Sequence, residues 1–143
     1  MGSCMPLLMF AQPPYAETLL TSARAHINEG QFGFAVILCQ MAAEYYTEIT
    51  FDVLFNKKNV PELIDPIEGL LNNYNIRNER VSALFNVLSG DTIQQQPFWS
   101  DLTKHSKLRN AIIHKRYLPS KDEAEVSATC VECLVAYLKT FTS

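Results

Sequence analysis

The run from Phe32 to Phe55 most limits what this chain can fold into. In it Val36, Leu38, Cys39, Met41, Ala42, Tyr45, Tyr46, Ile49, Val53 and Leu54 recur at three- and four-residue spacing. Residues so spaced share one side of an α-helix, whereas a half-buried strand would need alternation. No other segment sustains period-two alternation either, so the sequence predicts an all-α fold with no sheet. The punctuation between segments divides it into five or six helices. Pro13-Pro14 open a first helix that runs to about Glu29 and is ended by Gly30, and the long helix follows. Asn56-Lys57-Lys58-Asn59 is a turn. Pro61 opens a third segment carrying Leu63, Ile64, Ile67, Leu70 and Leu71, which Asn72 to Asn75 break. A short helix from about Arg77 to Ser89 stops at Gly90, a residue suited to a left-handed cap. Asp91 to Gln96 reads as a polar loop. Pro97 starts a helix that reaches about Lys115, with Phe98, Leu102, Leu108 and Ile112 as its core face. After Pro119, Ser120 and Glu123 have capping-box spacing and open a last helix to about Phe141.

A chain of 143 residues is the size of one domain, and residues 1–143 are read as one helical bundle, with residues 1–11 a candidate flexible N-terminal segment. Hydrophobic residues make up 48% and charged residues 19%, which leaves apolar surface for a partner chain. No apolar run approaches the roughly 20 residues a bilayer span needs, and the N-terminus lacks the basic start of a signal peptide. Cys4, Cys39, Cys130 and Cys133 are then expected as reduced cysteines filling a core, which points to the cytoplasm. Cys130-x-x-Cys133 has metal spacing, but it has no second pair and sits within a helix. No metal or other cofactor is expected.

Charge is distributed unevenly. Net charge is −3, yet the stretch from Leu102 to Lys121 holds Lys104, Lys107, Arg109, Lys115, Arg116 and Lys121 and no acid. The remainder carries six basic and fifteen acidic residues, a net of −9. Such a balance argues against non-specific nucleic-acid binding by the whole surface and for anion binding at one place.

Within the basic stretch lies Arg109-Asn110-Ala111-Ile112-Ile113-His114. On a regular helix Asn110 and His114, four apart, share a face and can hydrogen-bond. Arg109 and His114 point roughly 140° apart. A long side chain, a fraying helix end near Lys115, or a second copy of the motif across a dimer axis would bring them together.

An Arg, a polar residue and then a His, placed late in a small helical bundle and followed by a loop and one capped helix, resembles the HEPN superfamily. The resemblance implies a homodimer whose two motifs face each other in one cleft, and a metal-independent endoribonuclease acting on single-stranded RNA, as in toxins and antiviral effectors. It implies that Arg109 binds and stabilises the phosphate, that Asn110 orients His114, and that His114 is the general acid or base. Lys107, Lys115 and Arg116 would contact flanking phosphates. Histidine titrates near neutrality and arginine matches phosphate oxygens with a planar fork, so the residue types suit that chemistry. Where HEPN toxins carry a Tyr two residues after the His, this chain has Lys115-Arg116 and then Tyr117, which puts regulation by tyrosine modification in doubt.

Two alternatives stay open. One is a non-catalytic HEPN module that binds a partner such as an antitoxin or a nucleotidyltransferase; the other is an RNA-binding protein without cleavage. His114 as a helix-capping histidine and Arg109 as half of a surface ion pair are the bland readings of the motif. His105 is expected as an exposed helix residue, His26 as structural, and the aromatic residues as core or interface.

Overall fold

The computed structural model describes residues 15–71 and 73–143. Cys4, Pro13-Pro14, Asn72 and the reading of residues 1–11 lie outside them. Six α-helices and no strand occur among the described residues, as the spacing predicted. They are α1 (Tyr15–Asn28), α2 (Phe32–Lys57), α3 (Ile64–Leu71), α4 (Glu79–Ser89), α5 (Trp99–Lys115) and α6 (Lys121–Lys139), with single 3₁₀ turns at Pro61–Leu63 and Ile93–Gln95. None of them is long and apolar enough to cross a membrane.

Gly30 reverses the chain after α1 at φ +80°, a conformation that costs glycine little. The two helices it joins are antiparallel. The Tyr15 ring meets Tyr45 well along α2, while His26 near the end of α1 meets Phe34 at the start of α2. Helix α6 runs antiparallel to α1 and packs against both α1 and α2. Arg24 pairs with Glu132 at 2.7 Å, and Lys139 pairs with Glu17. Helix α5 lies against α6 and α2, and α4 packs at the far end of α2, where Phe51 and Phe85 meet edge to face.

Helix α2 is buried on more of its circumference than the sequence pattern indicated. Leu38, Cys39 and Gln40 are buried in succession, as are Ala42 and Ala43, and Phe51 and Phe55 are almost fully enclosed. Neighbours on several sides leave it no polar stripe of the usual width. Thr47 and Thr50 are buried as well, and each hydroxyl donates to a carbonyl four residues back. Conversely Met41 and Tyr45, expected on the core face, are exposed.

The local signals hold with small shifts. Gly90 caps α4 at φ 77°, and Asn78 opens that helix by accepting from the amides of Arg80 and Val81. The capping box of α6 is present in both directions: the Glu123 amide donates to Ser120 Oγ, and the Ser120 amide donates to Glu123 Oε1. Helix α5 starts at Trp99, not Pro97. Ile93, in the expected polar loop, is fully buried, and its amide donates to Asn86 Oδ1. Cys39 and Cys130 are buried as expected, but Cys133 is exposed.

His105 corrects the reading most. It is 2% exposed and joins three helices. Its Nε2 lies 2.9 Å from Gln40 Oε1 of α2, and its Nδ1 lies 2.8 Å from Ser127 Oγ of α6. Gln40 Nε2 donates onward to Glu44, which leaves Gln40 Oε1 as an acceptor. The bonds are therefore satisfied when neutral His105 donates from Nε2 and accepts the Ser127 hydroxyl at Nδ1. Burial first, and the nearby charge of Arg109 second, push the His105 pKa down to about 4.

This cross-link predicts an acid limit to stability. The unfolded chain takes up the proton near pH 6.5, while the folded one resists it down to about 4. The contribution of His105 is therefore complete above about pH 6.5, is lost progressively as the pH falls to about 4, and is constant below, a change of about 3 kcal/mol in all. Urea denaturation across that window should show this slope in the wild type and not in His105→Gln. At neutral pH, His105→Ala should cost about 3 kcal/mol, because it opens a void and leaves Gln40 and Ser127 short of partners.

Candidate functional site

The motif residues occupy the last two turns of α5. The helix stays regular through Lys115, and the chain then leaves it through Arg116, which has left-handed dihedrals (φ 56°, ψ 32°). Its amide donates to the Ala111 carbonyl, as does that of Tyr117. Helices usually reserve this position for glycine, and a side chain there costs about 1 kcal/mol. The turn is held from outside. Tyr117 donates its hydroxyl to Glu123, the same carboxylate that caps α6, and Pro119 is buried against Gly33 at the start of α2. The Ser120 amide, with the Tyr117 hydroxyl adding to it, holds the Glu123 carboxyl below its ordinary range.

Around this helix the candidate residues separate into two sets. Lys107, Asn110, Ala111 and His114 fall within roughly 100° of one another, and Lys104 flanks them. Lys104, Lys107, Asn110 and His114 are all exposed. Arg109 falls instead on the side of Leu102, His105 and Ile112, and it is half-buried. Its Nη1 donates to Asn110 Oδ1 at 3.3 Å, so the Arg and the Asn are joined. No hydrogen bond joins Asn110 to His114, contrary to the expectation from their spacing, and His114 has no partner among the described residues. Because α5 does not fray before Lys115, fraying does not bring Arg109 to His114.

The cationic side chains are mostly free. Lys104 pairs with Asp101 at 3.7 Å, but both groups are well exposed and the pair is worth little. Lys107, Lys115 and Arg116 are exposed and make no ion pair among the described residues. A groove of about 330 Å³ lies between α5 and the turn into α6, lined by Lys104, Lys107, Leu108, Ala111, Tyr117 and Glu123 but not by His114. Beside it a second cavity of about 310 Å³ reaches His105 and Ser127. His105 thus belongs to the wall behind the site, and it is no exposed contact. Ile113, Tyr117 and Leu118 stay exposed around the end of α5, Leu118 by 88%.

The arrangement offers an exposed histidine, a carboxamide held by an arginine, and exposed cations around them. The aromatic residues add little: Phe98 is buried and Trp99 lies beneath the Arg77 guanidinium, 4.8 Å from ring centre to carbon. Sequence reasoning missed the His105 network, because a histidine between two lysines looks exposed until the helix register is known. The signal was present in the three- and four-residue spacing of Leu102, His105 and Leu108-Arg109. Compared with known proteins, the chain matches no family model, no curated protein and no solved structure.

The backbone at Arg116 generates a direct prediction. Arg116→Gly removes the left-handed penalty and should stabilise the protein by about 1 kcal/mol, raising Tm by about 3 °C. A thermal melt reads this out, and a lowered Tm would mean that the guanidinium contributes more than the backbone loses.

Proposed function

We propose that the chain is a HEPN-type endoribonuclease that works as a homodimer on single-stranded RNA without a metal ion. The observation that carries this reading is His114, exposed and unpartnered on the same face of α5 as Lys107 and Asn110. A histidine kept for packing or capping would be engaged, as His26 and His105 are. Holding Arg116 in a strained backbone state is consistent with a use for its side chain, since strain tends to persist where function needs it.

The chemistry follows from the residue types. One His114 takes the proton of the ribose 2′-OH as its oxygen attacks phosphorus. A second proton carrier gives a proton to the departing 5′-oxygen as the P–O5′ bond breaks. The products are a 2′,3′-cyclic phosphate and a 5′-hydroxyl. Each chain has one such histidine, so a dimer supplies both proton carriers. Arg109 would stabilise the charge on the phosphorane, held in place by Asn110. Because Arg109 and His114 point apart within one chain, the arginine acting with a given histidine would come from the other copy. Ile113, Tyr117 and Leu118 provide apolar surface beside the motif for that contact. Lys107, Lys115 and Arg116 would bind flanking phosphates, with a contribution that weakens as salt rises.

RNA binding without cleavage is the second reading, and the turning of Arg109 toward the core side of α5 favours it. Incubation with single-stranded RNA in EDTA separates the two. The wild type should cut and leave cyclic phosphate ends, while Arg109→Ala and His114→Ala should each lose about a hundredfold or more in rate. Leu118→Asp should lose dimerisation and cleavage together, measured by light scattering and the same assay. RNA bound but intact with every protein would establish the binder. Neither binding nor cleavage by a folded dimer would sink both readings and leave a partner-binding module.

A further inference from the structure

Helix α2 carries Glu44, Glu48 and Asp52 at four-residue spacing, so three carboxylates lie along one line of its surface. Helix α3 brings Asp65 and Glu68 into the same field. Like charges so placed repel, and no ion pair among the described residues relieves any of the five. Three of the five, Glu44, Glu48 and Glu68, line a cavity of about 210 Å³ together with Tyr45, Asn73 and Tyr74.

Tyr74 is the independent observation. It is only 4% exposed, with its ring packed 5.1 Å from Phe51, yet its buried hydroxyl has no hydrogen-bond partner among the described residues. Leaving such a group unpaired costs about 1–3 kcal/mol. Three carboxylates with no base call for a positive charge, and the unpartnered Tyr74 oxygen has a lone pair to offer a positively charged hydrogen-bond donor. The aromatic walls supplied by Tyr45 and Tyr74 favour an organic cation, whose C–H groups and charge both interact well with ring faces.

We propose that this pocket, between α2 and the turn that follows α3, binds an alkylammonium or guanidinium group. The carboxylates of Glu48 and Glu68 take its charge, and the Tyr74 hydroxyl accepts one of its hydrogens. Burial together with the neighbouring carboxylates raises the Glu48 and Asp52 pKa values, a penalty that a bound cation removes. The same causes raise Tyr74 to about 12, so its hydroxyl stays protonated and neutral. The site stands apart from the motif on α5 and does not depend on the nuclease reading.

The chemistry has two sources, a free polyamine or a basic side chain of another protein. Calorimetric titration of the whole chain at low salt distinguishes them, with spermidine as one probe and a blocked arginine peptide as the other. Saturable one-to-one binding of at least one probe is expected; spermidine alone marks a free amine and the peptide alone marks a protein side chain. Glu48→Gln with Glu68→Gln should weaken it by roughly tenfold or more, the loss of one good charge contact. Glu29→Gln with Glu125→Gln changes the net charge equally outside the pocket and should leave it intact. The Glu48/Glu68 pair sheds repulsion, so it should fold at least as stably as the wild type. No saturable binding of either probe, equal weakening by both pairs of substitutions, or binding of Mg²⁺ alone would overturn the proposal.

Discussion

The burial of α2 on most of its circumference is the constraint around which the molecule is arranged. A helix of 26 residues with Phe51, Phe55, Val36 and Leu54 all enclosed cannot be covered by one partner. Removing each of those side chains from water is worth about 2–3 kcal/mol, and that gain exists only if several helices surround α2 together. Helices α1, α5 and α6 do so along its length, and α4 closes the far end through Phe85. The position of α5, and with it the candidate site, is a consequence of that packing.

Within this apolar shell the His105 network sets the register of α5. A hydrophobic contact tolerates sliding, but hydrogen bonds from one imidazole to Gln40 on one side and Ser127 on the other do not. They fix both the rotation and the height of α5 against α2 and α6. With His105 turned inward, the residues on the opposite side of the helix, Lys107, Asn110 and His114, are turned outward. The buried histidine therefore presents the exposed one, and the charge of Arg109 helps keep His105 neutral in the core.

The two charged regions differ in how they are resolved. At the end of α5 the cations are exposed and well hydrated, so their repulsion is screened and costs little. On the α2–α3 side the carboxylates are partly enclosed around a buried phenol, where water screens less and the cost is retained in the fold. A protein keeps such a cost most readily where something of the opposite charge arrives, and this is what makes the acidic pocket the more informative of the two.

What the sequence determined by itself was local. Helical spacing, the glycine at position 90, the capping box of Ser120 and Glu123 and the breaks at Gly30 and Pro119 depend on neighbours within a few residues, and each appears where the pattern put it. The Arg109-Asn110 and His114 spacing was equally legible, including the angle that separates them on one helix. Whether a given residue faces in or out was decided by tertiary structure. His105 lies between two lysines in sequence and in a core in space, Met41 and Tyr45 sit on an apolar helix yet remain exposed, and Ile93 is buried from within a polar loop. The pairing of α3 with α2 likewise gathered carboxylates that are far apart in the chain. Rotation of a helix about its axis is set by what packs against it, and those partners come from residues tens of positions away, beyond the reach of any local pattern.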